Sequence, residues 1–185
     1  MDLIFTKIVT LIDRTTEAIG KAASLFSILM VLVTCYVVIT RYVFNSGSIA
    51  IQETVIYLNA LLFMLTAGFT LKHNGHVRVD VFYSKASPRY KAWADLFGAL
   101  FLLLPVSIFI MWSSWDYVMS AWSVKETSGD AGGLPYVYLL KTLILLMGSL
   151  LILQGIAEAI RNFCILFFPD SLLALNHVDE EGSTV

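Results

Sequence analysis

His73, His76 and Asp80 lie within eight residues of one another and are the residues nearest to a metal-binding pattern in this chain. Histidines at i and i+3 converge only on a continuous helix, and Gly75 interrupts that register. No further ligand type follows at metal-site spacing, so no metal is expected here. Cys35 and Cys164 stand alone without a C-x-x-C, which leaves a thiolate no resolving partner for disulfide exchange. No nucleophile–base pairing and no phosphate-cradling glycine motif is visible. The chain is therefore read as non-enzymatic, with no catalytic, metal or substrate-binding residue of its own and no cofactor.

The polar groups that remain informative are those inside apolar surroundings: Asn59, Ser107, Lys141 and Gln154. Ionisable and amide groups at such places are costly and usually mark function or helix pairing. Asn59 and Gln154 read as interhelical hydrogen-bond partners. Lys141 lies about 9 Å along a helix from Pro135, close enough for its stem to snorkel outward. Pairing with an acid on a neighbouring helix is the other option, Glu53 being the best match by depth.

The elements that hold these groups are four uncharged runs. Ala22 to Thr40 has 19 residues without an ionisable group, Thr54 to Leu71 has 18, Leu96 to Trp115 has 20 and Thr142 to Ala157 has 16. About 20 apolar residues at 1.5 Å each match a hydrocarbon core of about 30 Å. Lipid offers the backbone no hydrogen bonds, so each run must be a helix. A hydrophobic content of 58% and a mean hydropathy of +0.78 agree; the net charge of −2 says little about partners, and no nucleic-acid partner is expected. The expected fold class is an all-α integral membrane protein. Its one four-helix domain covers 1–168, with spans at about 22–44, 52–72, 90–122 and 135–161.

Charge sidedness sets the expected orientation. Lys7, Arg14, Lys21, Lys72, Arg78, Lys85, Arg89, Lys91 and Arg161 fall on one side, and Arg41, Lys125 and Lys141 on the other. By the positive-inside bias both termini and the middle loop are cytoplasmic. The first apolar run is too long for a cleaved signal and has no A-x-A-like site, so it is expected to remain as an anchor. Ile4, Ile8, Ile12 and Ile19 keep near-helical spacing ahead of it. They fit either a surface-lying amphipathic helix or an early start to the first span. Trp and Tyr near the ends of the first and third runs suit interfacial anchoring in the bilayer.

Between the second and third runs, Asp80 can cap a short amphipathic surface helix at about 79–87, followed by Ser87-Pro88 as N-cap and first helical residue. The outer loop Lys125–Pro135 is glycine-rich and polar, a connector or a docking surface. Pro105 alone interrupts a span, and the chain shows no repeated half of the kind secondary transporters carry. By itself it is not expected to move a solute. The tail 169–185 is short, acidic near its end, and expected to be a disordered cytoplasmic segment.

Together, Arg41-Tyr42-Val43-Phe44-Asn45, Glu53 opening the second span, Gly75-His76-Val77-Arg78-Val79-Asp80, and Gly133-Leu134-Pro135 with Lys141 form an ordered set. This set resembles the small membrane subunit of TRAP (tripartite ATP-independent periplasmic) transporters, over about Ala22 to Arg161. One departure is Ala50-Ile51-Gln52-Glu53, which offers a single acid and no Trp where that family often has a Trp and two acids. The resemblance implies a fixed scaffold in the bacterial inner membrane. The expected partners are a large elevator-type membrane subunit and a periplasmic solute-binding protein. Sodium-coupled import of an organic acid anion would belong to those partners, with sodium ions bound by the large subunit. Arg41, Asn45, Glu53, His76, Asp80, Lys125, Glu126 and Lys141 are the structural and partner-contact candidates. Arg41 and Glu53 would form an ion pair between adjacent spans, and Asp80 with His76 would fix the turn into the surface helix. The alternative is a self-associating four-helix channel or sensor, which would need a polar pore stripe.

Overall fold

The computed structural model describes residues 2–76 and 86–168, and every described element is helical. α1 spans Asp2–Tyr42 and α2 Ile49–Lys72. α3 runs Pro88–Ser123, and α4 Val137–Phe167. All four are long and apolar enough to cross a membrane. The surface helix expected over 79–87, including Asp80, falls almost wholly outside the described residues, as does the tail.

α1 is one unbroken 41-residue helix. The near-helical isoleucine spacing therefore continues the first span rather than forming a separate element. Val9 shows why: it is buried in a cluster with Ala157 and Cys164 of α4. The apolar face ahead of Lys21 has a protein surface to cover, so charge alone does not end the helix.

The helices are ordered in a layer α1–α2–α4–α3, and α1 also reaches α4 with its first half. Small residues set the approach. Gly68 of α2 lies against Thr16 and Leu150, Gly148 against Met111, and Gly155 against Leu103 and Leu104. Gly20 takes the face of the Phe69 ring. Close approach through small residues is how helices associate where lipid removes the hydrophobic drive. Gly68, Gly148 and Gly155 all pack within the chain.

Helix ends follow local chemistry. Ser87 accepts from the Tyr90 backbone N–H at 3.4 Å with Pro88 beginning α3, as the Ser-Pro pair predicts. After α2, the left-handed residue is Asn74 (φ 52°), not Gly75. The Gly75 N–H reaches the Thr70 carbonyl and the Asn74 N–H that of Leu71, which closes a Schellman turn. In α3, residues Gly98–Leu103 form a π-helical turn directly before Pro105. The wider turn accommodates the proline ring and its missing N–H, so the helix continues through it.

Candidate functional site

Two polar clusters tie the layer, one at each end. At the loop end, where 43–48 and 124–136 connect the helices, Glu53, one turn into α2, is the anchor. Its Oε1 accepts from the Ser128 hydroxyl and its Oε2 from the Leu134 N–H at 2.6 Å. The loop is also closed on itself. The Ser128 N–H donates to the Leu134 carbonyl, the Asp130 N–H to Ser128 Oγ, and the Gly133 N–H to the Asp130 carbonyl. Gly133 passes so near that a Cβ there would sit 2.5 Å from Ser128 Oγ and 2.7 Å from Glu53 Oε1. Glycine at this place is required by close approach.

Lys125 ends α3 in the left-handed region (φ 48°), with the Glu126 N–H bonded back to the Ala121 carbonyl. Such a backbone costs of order 1–3 kcal/mol for a non-glycine residue and needs support from its surroundings. Lys125 Nζ lies 4.2 Å from the Trp122 ring centroid and 4.8 Å from that of Tyr138. The Trp122 indole N–H donates to Thr142 Oγ1 at 2.8 Å. Lys141 Nζ bonds Glu126 Oε2 at 2.5 Å and sits 3.9 Å over the Tyr117 ring. The structure therefore corrects the expected partner of Lys141: it is the loop acid Glu126, not Glu53.

The expected Arg41–Glu53 ion pair is also absent among the described residues. Arg41 sits exposed in the last turn of α1, and both oxygens of Glu53 are turned to the loop. Asn45 is left-handed (φ 48°) in the α1–α2 connection, with the Ser46 N–H reaching the Thr40 carbonyl. Its role is the turn itself, which an asparagine tolerates better than most residues. His76 is exposed just beyond α2.

The opposite, tail end carries a cluster that the sequence reading did not find. Arg161 of α4 donates to Asp13 Oδ2 of α1 at 2.8 Å and to Glu158 Oε1 at 2.5 Å. Gln154, fully buried, donates from Nε2 to Asp13 Oδ1 and Glu158 Oε1. Beside it, Glu17 of α1 takes Lys72 Nζ of α2 at 2.8 Å and Lys21 at 3.0 Å, with His73 Nε2 at 3.5 Å. Gln154 is thus an interhelical hydrogen-bond partner, as its placement predicts. Asn59 is not: it is exposed on α2 and bonded to nothing in the described chain. The legible signals for this cluster were two helical ion-pair spacings, Glu17 four residues before Lys21 and Glu158 three before Arg161. Nothing local announces Asp13 with Arg161.

These clusters join α1 to α2, α1 to α4, and α2 to the loop between α3 and α4. Chemically they are ties: Asp13 with Arg161, Glu17 with Lys72 and Glu53 with the Ser128–Leu134 loop each join two elements. No characterised protein and no solved structure matches the chain. A family model described as Tripartite ATP-independent periplasmic transporters, DctQ component, matches residues 30–165. Four apolar spanning helices and a match over most of the chain agree: this multi-pass membrane protein belongs to the DctQ family, a membrane component of TRAP transporters.

Proposed function

We infer that the chain is the fixed small subunit of a TRAP-type importer, a scaffold beside the large elevator-type membrane subunit. The observation that carries this is the tying of the layer at both ends, by Glu53 to the loop and by Arg161 to Asp13. Ties of this kind suit a body that stays still while a neighbour moves. The positive-inside bias of the basic residues near the tail end supports a reading with both termini in the cytoplasm. The clamped loop, carrying Lys125 and Glu126, then faces the periplasm of the inner membrane and offers a shaped surface to the solute-binding protein. Arg41 and His76 are exposed candidates for partner contact. Solute choice, an organic acid anion by family expectation, and sodium binding belong to the partners.

The test is purification of the tagged chain from its native membrane in mild detergent, with mass spectrometry of the recovered proteins. A larger polytopic protein recovered in fixed stoichiometry is expected; recovery of this chain alone overturns the assignment. Static character is tested by cysteines at positions 53 and 128 joined with a short thiol cross-linker. Uptake should continue once the clamp is covalent, and its loss would show that the loop must move.

A further inference from the structure

α2 carries a second pattern that packing within the chain does not use. Gln52, Ile56, Asn59, Phe63, Thr66 and Thr70 follow one another at alternating steps of four and three residues. That 3–4 repeat is the seam along which one helix packs against another. α2's contacts with its neighbours lie elsewhere on its surface: Gly68 meets Thr16 and Leu150, Phe69 covers Gly20, and Leu58 is buried. At 100° per residue the seam points away from both α1 and α4. Ile56 and Phe63 are 58% and 69% exposed, and Asn59 is exposed between them.

Lipid covers isoleucine and phenylalanine without cost, so these two alone would say nothing. The amides decide the matter. Thr66 and Thr70 satisfy their hydroxyls on the Leu62 and Thr66 carbonyls of their own helix. Asn59 and Gln52 have no side-chain hydrogen bond in the described chain. Asn59 lies about 9 Å along the axis from Glu53 and about 20 Å from Lys72. A side chain that short cannot reach water from there, and an unbonded amide in hydrocarbon costs several kcal/mol. A protein helix supplies the missing partner; acyl chains do not.

Resting on the fixed-subunit reading above, we propose that this seam of α2 is where one transmembrane helix of the large membrane subunit docks, with Asn59 hydrogen-bonded across the contact. An amide deep in the seam, between Ile56 and Phe63, fixes register, because any slip along the helix leaves it unpaired. The occupant is assigned to the large subunit because the family supplies that polytopic chain as the membrane neighbour.

The test places a photo-reactive benzoylphenylalanine at position 56 or 63 in the full chain, in its native membrane, with positions 146 and 153 on the exposed face of α4 as controls. Adducts to the large subunit from 56 and 63, and not from the controls, are expected. Asn59→Leu should lower recovery of the large subunit by roughly threefold to thirtyfold. Its own thermal stability should not change, since Asn59 touches no partner within the chain. Adducts to the large subunit from the α4 positions alone would overturn the seam while leaving the subunit reading intact. Adducts between two copies of this chain at 56 and 63 would overturn the choice of occupant. Absence of the large subunit from every adduct and from the purified material would overturn both.

Discussion

Replacing Arg161 with methionine is the sharpest probe of the tie between the first and last helices. Methionine keeps most of the stem volume and removes the guanidinium. Asp13 Oδ2 and Glu158 Oε1 then lose their donors at 2.8 and 2.5 Å, and two carboxylates remain in a site where the Arg161 side chain is only 14% exposed. Gln154 Nε2 still reaches both acids, at 3.1 and 3.4 Å, but brings no charge. Removing one partner from a buried ion pair costs about 3–5 kcal/mol. For a chain of this length that corresponds to roughly 6–20 °C in the midpoint of thermal unfolding. The assay is loss of the monodisperse peak on heating in mild detergent, followed by size-exclusion with tryptophan fluorescence. The triple variant Arg161→Met with Asp13→Asn and Glu158→Gln should recover most of the loss, because no uncompensated charge remains. A midpoint for Arg161→Met within about 2 °C of the parent would refute the tie; equal loss in the single and triple variants would show that packing, not charge, was removed.

The loop clamp gives a second outcome: Glu53→Ala and Gly133→Ala should each speed limited proteolysis within 124–136, the first by removing the acceptor and the second by pushing Ser128 aside. Unchanged cleavage in both would show that the loop is held by something else. Gly20→Ala drives a Cβ to 2.5 Å from the Phe69 ring and should cost about 1–3 kcal/mol of thermal stability. Gly148→Ala meets the flexible Met111 side chain instead and should cost less; the reverse order in melting measurements would contradict the packing described. Asn45→Gly should be tolerated, whereas Asn45→Val, a β-branched residue at φ 48°, should lower the melting midpoint.

The helices were legible because membrane spans announce themselves by composition: a run such as Leu96 to Trp115 needs no periodicity to be read. Ends defined by charge were less secure. Lys21 closes the first uncharged run, yet the helix begins at Asp2, because Val9 finds a buried site against α4 that only the fold creates. The loop-end residues could be singled out from the sequence, but the structure pairs them differently. Depth along a helix can be counted from sequence, but the azimuth of a neighbour cannot, so where pairing is one of two options for Lys141 the acid named is Glu53, although Glu126 lies beside it. Asn59 and Gln154 looked alike in sequence for the same reason. One faces α1 and the other faces out, a difference set by how α2 and α4 rotate against their neighbours.

The 148-residue separation of Asp13 and Arg161 has a consequence for how the protein is made. At about 5–20 residues per second, some 7–30 s pass between synthesis of the acid and of its guanidinium. During that interval α1 enters the bilayer as an incomplete element, its carboxylate still held near water at the surface. Only arrival of the last helix completes the site. A nascent chain truncated before α4 would expose Asp13 and the apolar surface around Val9 together, a signature by which membrane quality control could tell an unfinished subunit from a finished one.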